Sequence, residues 1–548
     1  MAQRQIKIPV IPEANLTQPV NDLLALVEQL MVENNRLKEV VQQLRDEIAV
    51  LKKEKSKPKI KPSNLDRDAG KNDDKSDDGK NTTGGDGKRP GSTKRSKTDQ
   101  LVIHVEEKIA PSEPIPPGSR FKGFRDYVVQ DIQISTHNVL YRMECWLTPD
   151  GRWLTGQLPV CVQGNHFGPT LRGFILYQYH HCHVTQPLLL EQLSEWGVDI
   201  SVGQINAILA TGNESFINEK KDLLVTGLEV CPSVTVDDTG ARHKGKNGYA
   251  THIGNDFFAW FQSTNSKSRI NFLEILHAGT AIYHINDDAI SYMQKYGLAK
   301  SVIDVLESYN VGAISGLPQW NRFLDLLSVT SDRHRKIATE GALIGGLFEK
   351  GLNPILAIIS DGAGQFAVLL HGMCWVHAER LVHTLIPFSD LHRQAIDNVR
   401  SAIWELYADL NVYRKNPDPS QIVLLEQRFD AIFTQNTGYE TLNQTLKRLH
   451  DHKKELLLVL QRPDVPLHTN GSESDIREYA KRRKVSGGTR SDSGRVCRDT
   501  FISLKKTCRK LGISFWEYLM DRLSHAKEIL PLADIVRQRA ALVHSGVP

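Results

Sequence analysis

Three acidic positions in the chain have the residue types and surroundings of a metal-dependent catalytic site. Asp237 follows the β-branched run Ser-Val-Thr-Val and precedes Asp238, and Asp361 follows the apolar run Ile-Leu-Ala-Ile-Ile-Ser. Such runs predict buried strands, so each acid is expected where a strand ends, at one rim of a sheet. Glu473 comes far downstream in a helical segment. Carboxylate oxygens are the ligands that Mg²⁺ or Mn²⁺ prefers, so these acids predict a site for such ions.

The chemistry that such a site performs is phosphoryl transfer. Two divalent ions about 3.5–4 Å apart can clamp the attacking and leaving oxygens of a phosphodiester during in-line displacement. Several carboxylates are needed to hold the two ions against their mutual repulsion. Each acid taken alone also has a plain interpretation, because an Asp at a strand end is more often a turn residue or a helix cap.

Basic residues cluster beside Glu473 and predict that the phosphates belong to a nucleic acid. The same residues are also compatible with a solvated helix face. Phosphate contact predicts binding that weakens steeply with salt, and this separates the two interpretations. The predicted nucleic-acid-binding residues are Arg477, Lys481, Arg482, Arg483, Lys484 and Arg490.

The composition indicates several domains and sets limits on the class of protein. The 548 residues carry a formal net charge of only +4, so nucleic-acid binding must come from local patches. The seven cysteines are scattered and form no Cys-x-x-Cys pair, which argues against a disulfide framework or a zinc ribbon. Neither a membrane-spanning run nor a signal-peptide pattern is found, so a cytoplasmic protein without a membrane partner is expected.

Leucines recur every seven residues near the N-terminus, at the d positions of a heptad repeat. Asn34 falls at an a position among β-branched residues. This pattern favours a parallel two-stranded coiled coil whose register the asparagine fixes. A coiled coil over residues 18–55 and a homodimer or higher assembly are therefore predicted, the alternative being an amphipathic helix packed on its own protein. The predicted zipper residues are Leu23, Leu30, Asn34, Leu37, Leu44 and Leu51.

Two segments of different character follow the heptads. Residues 56–100 contain hardly any apolar side chain and are predicted to be a disordered polar linker. Residues 101–165 contain short alternating runs, at 127–129, 131–134 and 139–143, that predict a small β-rich module.

Residues 166–228 are predicted to be helical. Pro187 opens one helix, Gly197 ends it, and Ser201 is a good N-cap for the next. Two helices joined by a tight turn indicate a helix-turn-helix-like DNA-binding region, although an ordinary helical hairpin is equally compatible. The cluster from His180 to His183 is assigned a structural or solvated role, because consecutive residues cannot all face one metal ion.

The remaining chain predicts a catalytic core that is interrupted by helices. Residues 229–379 form its first part, with three strands in a meander and a further strand leading to Asp361. Residues 380–465 have helical periodicity throughout and predict an all-α insertion. Residues 466–530 return to the core with the helix of Glu473, and residues 531–548 are a C-terminal tail.

The motifs taken in order resemble the insertion-sequence sixty-six family of bacterial DDE transposases. They are Val-Asp237-Asp238-Thr, Ser-Asp361-Gly, Cys374-Trp-x-His377-Ala-x-Arg, and Asn-x-x-Glu473-x-x-Ile-Arg. The resemblance covers nearly the whole chain. It implies a multi-domain α+β protein whose ribonuclease-H-like catalytic core carries an all-α insertion between the second and third acids.

The resemblance also implies the activity and its partners. Asp237, Asp361 and Glu473 are then the catalytic and metal-binding triad, with two Mg²⁺ or Mn²⁺ ions per active site. The substrate is double-stranded DNA, at the element ends and at the target. The protein works as a self-assembled homodimer or higher oligomer in the bacterial cytoplasm, at the nucleoid, with accessory proteins of the element as further candidate partners.

The sequence departs from the family pattern at three places. The Asp-Asn-Asn that is usual before the helix of the third acid reads His468-Thr469-Asn470, which keeps the last Asn but loses an acid. Asp238 stands where relatives have Glu, and the zinc-binding cysteines of many relatives are missing, since Cys145 is the only cysteine before Cys161. No zinc site is therefore predicted. Two alternatives to an active transposase are a catalytically silent, transposase-derived DNA-binding protein and a nuclease of the same fold. Trp375 and His377 either support the wall of the site or serve packing.

Overall fold

The computed structural model of the protein describes residues 101–309 and 312–544. The predicted coiled coil and the predicted polar linker lie outside the described residues, so both stay predictions. The chain divides between Ser135 and Thr136 into two units, and every element named below belongs to the second. Within the described ranges, no helix is long and apolar enough to cross a membrane.

Residues 101–165 contain less strand than the sequence predicts. Their described strands are β1 (Cys145–Leu147) and β2 (Trp153–Thr155), which pair antiparallel. The runs within residues 127–143 are not strands, and the side chain of Tyr127 is 90% exposed. Alternating residues form a strand when one face packs on other apolar groups. Side chains in these runs are almost all exposed, so the alternation has no buried face to stabilise it.

A five-stranded mixed sheet carries the first two acids. Its strands are β3 (Ser233–His243), β4 (Lys246–Gly254), β5 (Ala259–Thr264), β8 (Ala357–Ser360) and β9 (Leu370–Met373). β3, β4 and β5 form the antiparallel meander that the sequence predicts. β8 and β9 continue the sheet in parallel, so that the order is β5-β4-β3-β8-β9.

Four helices precede the sheet, where the sequence predicts a helical region. They are α1 (Pro169–His180), α2 (Gln186–Glu195), α3 (Val202–Ala210) and α4 (Glu214–Val230). Gly197 has a φ of 74° just beyond α2, as expected for a residue that ends a helix. Ser201 caps α3 through a reciprocal capping box with Gln204, so the predicted cap is confirmed.

Between β5 and β8 the chain forms helices around a short two-stranded sheet. These elements are α5 (Arg269–Leu276), β6 (Ile282–Tyr283), α6 (Asp287–Lys295), α7 (Lys300–Ser308), β7 (Ile314–Ser315), α8 (Leu317–Leu326) and α9 (Asp332–Glu349). α9 is buried over most of its length. A Cβ at Gly346 would lie 2.0 Å from the carbonyl oxygen of Ile282. Glycine is therefore required for α9 to approach β6 this closely.

The segment after β9 is all helical, as predicted. Its elements are α10 (Trp375–His383), α11 (Asp390–Lys415), α12 (Ile422–Phe433), α13 (Glu440–His450), α14 (Lys453–Leu456) and α15 (Leu458–Gln461), with a 3₁₀ turn at Pro419–Gln421. The three-four periodicity of α11 predicts its buried face. Ile396, Ile403 and Leu410 are indeed buried there.

Four helices close the chain, and one of them covers the edge of the sheet. They are α16 (Asn470–Ser486), α17 (Asp492–Lys510), α18 (Phe515–Ser524) and α19 (Leu532–His544). Side chains of α17 accept hydrogen bonds from the backbone N–H groups of β5. Phe261 donates to Ser503 at 2.9 Å and Ala259 donates to Thr507 at 3.1 Å.

The spacing of these hydrogen bonds explains why helix α17 can take the place of a neighbouring strand at the edge of the sheet. Four residues of helix rise about 6 Å, and two residues of strand rise about 6.6 Å. Successive polar side chains on one face of α17 therefore meet alternate N–H groups of the edge strand. Asp499 continues the series by accepting from the N–H of Ser263 at 2.7 Å. The unpaired edge that invites association with another strand is thereby closed.

Replacing Ser503 by Ala is expected to lower the free energy of unfolding by about 1–3 kcal/mol, because the buried N–H of Phe261 loses its acceptor. Hydrogen–deuterium exchange of the β5 peptide should accelerate at the same time. Ser493→Ala, at an exposed position of α17, is the matched control and should change neither quantity. Unchanged exchange in Ser503→Ala would contradict this role of α17.

Candidate active site

Asp237 and Asp361 lie side by side because β3 and β8 pair in parallel. Thr235 pairs with Ile359 at the last matched position; two residues further along each strand direction come Asp237 and Asp361, whose carboxylates interact electrostatically. Register partners in a parallel ladder project to the same face of the sheet. The two acids therefore share one edge of the parallel pair, as expected from the sequence.

The strand that carries Asp237 does not end there, contrary to the expectation from the sequence. β3 continues to His243 in antiparallel pairing with β4. Lys244 and Gly245 then turn the chain with φ values of 49° and 78°. Positive φ at both central residues is typical of the two-residue turns that join twisted hairpin strands. The hairpin thus continues past the acids, whereas β8 stops one residue before Asp361.

The electrostatic setting of Asp237 favours a cation. Burial raises the pKa of Asp237 to about 6, although the backbone N–H of Asp238 donates to its carboxylate at 2.7 Å. The negative charge of Asp361 raises this pKa further, and His377 lowers it. Two neighbouring, partly desolvated carboxylates repel each other, and a bound cation would relieve that repulsion.

Asp238 serves the scaffold, as its hydrogen bonds indicate. Its carboxylate accepts from the hydroxyl of Thr251 at 2.5 Å and from the amide of Gln365 at 3.0 Å. Thr251 is its cross-strand partner in β4, and Gln365 lies in the loop that follows Asp361. Both oxygens of Asp238 therefore have protein donors, and the residue ties β3 to the loop that carries the second acid.

Glu473 is surrounded by cationic side chains. It lies in the first turn of α16, where a negative charge interacts favourably with the helix dipole. One carboxylate oxygen is 3.5 Å from His377 Nε2 and 3.5 Å from Arg380, and the other is 3.5 Å from Arg477. The sequence predicts the pair with Arg477 from the four-residue spacing. The contacts with α10 come from a distant part of the chain.

His377, which the sequence assigns either to the wall of the site or to packing, joins the two halves of the site. It approaches Glu473 and acts electrostatically on Asp237. A hydrogen bond with Cys374 raises the pKa of His377 more than burial lowers it. The Cys-x-x-His spacing at the start of α10 is the sequence feature that could have identified His377. Trp375 by contrast is buried and donates to the carbonyl of Leu456 at 2.8 Å, which is a packing role.

The three acids do not form a single ligand group in this conformation. Among the described residues, no three His, Cys, Asp or Glu side chains are grouped so that they could hold a metal ion. Asp237 and Asp361 are neighbours through the sheet, whereas Glu473 is held by Arg380 and Arg477. His377 stands between the pair and Glu473.

The six predicted nucleic-acid-binding residues have different environments. Arg477 pairs with Glu473, and Arg483 donates to the carbonyl oxygen of Gly240. Arg482 is 4% exposed and its guanidinium lies 3.9 Å from the ring centre of Tyr179, so it packs in the interior. The remaining three are exposed, and their side chains form no hydrogen bond or ion pair with a described residue; they are Lys481, Lys484 and Arg490.

Two comparisons with known proteins bear on this site. The sequence family described as "Transposase IS66 family" matches residues 358–496, a range that includes Asp361 and Glu473. A curated relative, the uncharacterized protein y4jO of Sinorhizobium fredii (strain NBRC 101917 / NGR234), is 40% identical over 321 residues. That alignment covers 58% of this chain and 100% of the relative.

Replacing Asp237 by Asn is expected to stabilise the metal-free protein at pH 7 by about 2–3 kcal/mol, because a buried charge is removed. The pKa of about 6 in the folded state lies above the ordinary value of 3.8, so ionisation favours the unfolded chain. The gain should be absent below pH 4, grow between pH 4 and 6, and stay constant above. Thermal melts in EDTA measure it.

Asp304→Asn is the matched control for this measurement. Asp304 is exposed on α7, and its side chain makes no hydrogen bond or ion pair with a described residue. Its replacement should leave the melting temperature unchanged at every pH. A destabilised Asp237→Asn protein at pH 7 would show that the carboxylate is not under electrostatic strain.

Proposed function

The chain belongs to the IS66 family of transposases, and from this membership we propose that it cleaves DNA at the ends of an insertion sequence and joins those ends to a target. Asp237, Asp361 and Glu473 are the proposed catalytic carboxylates. The observation that carries the proposal is the parallel register of β3 and β8, which sets the first two acids side by side.

The architecture supports a ribonuclease-H-like core. An antiparallel meander is extended by two parallel strands; Asp237 lies on β3, and Asp361 directly follows the adjacent strand β8. The all-α segment from α10 to α15 falls between the second and third acids. This is the placement of the insertion that the family resemblance implies.

The residues fit divalent metal ions in part. Asp237 and Asp361 supply hard oxygen donors in a setting short of positive charge, and these two would hold an ion. Glu473 would complete the ligand set once its carboxylate is free of Arg380 and Arg477. Bound Mg²⁺ or Mn²⁺ supplies activation of the attacking oxygen and stabilisation of the leaving oxygen.

The protein's own side chains contribute binding and orientation. Arg380 and Arg477 are half to two-thirds exposed beside Glu473, and guanidinium groups bind phosphate oxygens in a forked geometry. A DNA phosphate at this place would compete with Glu473 for the two arginines. DNA binding and the release of the third carboxylate are thereby coupled in the proposed mechanism. His377 orients Glu473 through its Nε2, which approaches the same carboxylate oxygen as Arg380.

The proposed partners are double-stranded DNA and a second copy of the chain. Element ends and target are the two DNA substrates, and the heptads of residues 18–55 would join the copies. The proposed location is the bacterial cytoplasm, at the nucleoid, with accessory proteins of the element as further partners. A catalytically silent DNA-binding protein would retain binding without cleavage, and a nuclease would cleave without joining. All three acids are present, which favours an active enzyme.

Replacing Asp361 by Asn is expected to abolish Mg²⁺-dependent cleavage and joining while DNA binding stays measurable. The substitution removes the negative charge of the carboxylate that would bind the metal cation. It also leaves an oxygen that can accept the N–H of Ala363, as the aspartate does at 3.0 Å. The assay uses purified full-length protein, labelled duplexes that carry the element ends, and a supercoiled target plasmid. EDTA should stop the wild-type reaction, and Mg²⁺ or Mn²⁺ should restore it.

Asp304→Asn again provides the control, because the same chemical change occurs far along the chain at an exposed position. It should retain wild-type cleavage and joining. Full activity of Asp361→Asn would remove Asp361 from the site. Cleavage by the wild type without any joined product would replace the transposase proposal by a nuclease.

A further inference from the structure

A basic cleft of about 630 Å³ lies beside the middle of α16, between the segment that follows α1 and the junction of α17 with α18. Its lining contains four lysine or arginine side chains and a single carboxylate, that of Glu478. The polar residues that line this basic cleft are His181, His183, Glu478, Lys481, Lys505, Lys506, Arg509 and Ser514.

Glu478 and Asp475 pair with Lys505 and Lys506, so the excess positive charge of the basic cleft comes from Lys481 and Arg509. Lys505 pairs closely with Glu478, and Lys506 lies 2.7 Å from the same carboxylate. Burial and the neighbouring charge of Lys506 lower the pKa of Lys505, although Glu478 opposes both effects. Lys481 and Arg509 are exposed at the rim, and their side chains make no hydrogen bond or ion pair with a described residue.

Neutral hydrogen-bonding groups complete the lining. The Nδ1 atoms of His181 and His183 are buried and have no hydrogen-bond partner among the described residues. Burial, reinforced by Lys505, lowers the pKa of His183 to about 4, so its ring is neutral at pH 7. The ring of His181 is stacked on Tyr177 at 4.5 Å, which holds it in place. The first turn of α18 begins at the cleft and adds a helix N-terminus, where anions bind favourably.

We propose that the basic cleft binds a phosphate of the DNA backbone, at a site separate from the carboxylates. Lys481 and Glu473 lie on the same helix, eight residues and hence about 12 Å apart along its axis. That distance corresponds to roughly three to four base-pair steps of duplex DNA. A duplex held at the carboxylates can therefore continue along α16 to the cleft. The inference rests on the proposed function, because it takes DNA as the substrate.

Lys481 and Arg509 allow the cleft to be tested without disturbing the fold, because neither side chain is buried or paired. Replacing both by Gln should weaken the binding of a fluorescein-labelled duplex of arbitrary sequence several-fold. The slope of log Kobs against log salt should become shallower by about 1, since the contact with one phosphate is lost. Fluorescence anisotropy with the full-length protein in EDTA, over a series of KCl concentrations, measures both quantities without cleavage.

The matched control removes one lysine and one arginine from another exposed helix. Lys447 and Arg448 lie on α13, are exposed, and form no side-chain hydrogen bond or ion pair with a described residue. Lys447→Gln with Arg448→Gln should leave affinity and salt slope at wild-type values. Equal weakening by both double variants, or an unchanged salt slope in the cleft variant, would overturn the proposal. Lys481→Gln alone repeats the test if the double variant melts at a lower temperature.

The outcome of the binding measurement does not depend on whether the protein cleaves or joins DNA. If the wild type binds DNA through the cleft but neither cleaves nor joins, the proposed activity fails and the cleft stands. If the cleft variant binds like the wild type while cleavage depends on Asp361, the cleft fails and the activity stands. Weakened binding of a single-stranded RNA of the same length, with duplex binding unchanged, would assign the cleft to RNA and overturn the proposal.

Discussion

The parallel pairing of β3 with β8 is the constraint on which the candidate site depends. More than a hundred residues separate the two strands, and all of α5 to α9 lies between them. The pairing ends two residues before Asp237 and Asp361 and brings the two acids close enough to interact electrostatically. A slip by one residue would turn one acid to the opposite face of the sheet. The close contact of Gly346 with β6 and the burial of α9 fold the intervening helices so that β8 can reach this register.

Helix α16 connects the site to the rest of the molecule. Its first turn carries Glu473, and its buried face carries Asp475, which lies 3.2 Å from His252 and 3.1 Å from Lys510. A hydrogen bond with His252 and the charges of Lys510 and Lys506 hold the pKa of Asp475 well below its usual range despite burial. Removing one partner of such a buried network typically costs about 3–5 kcal/mol. The ion pairs thus fix α16 between the sheet and α17, and with it the position of the third acid.

Charge is distributed unevenly along this helix, in a way that suits a polyanion. The negative charge of Glu473 is balanced by Arg380 and Arg477. The charged side chains on the buried face of the helix are neutralised by ion pairs. The exposed end retains cations without partners among the described residues, such as Lys481 and Lys484. Electrostatic attraction along this line would guide a phosphate backbone toward the carboxylates.

The sequence by itself determined many of the local elements and predicted the acids of the candidate site. The meander, the cap at Ser201, the helical insertion and the buried stripe of α11 follow from periodicity and capping, which act over a few residues. Tertiary structure decided the rest. Pairing with β4 extended β3 past Asp237, and packing buried Arg482 against Tyr179. The runs of residues 127–143 have no strand pairing. The fold also set Arg380 and His377 beside Glu473. Those outcomes depend on which faces of the helices and strands pack together. The residues that make these contacts are distant in sequence, so no local sequence pattern predicts them.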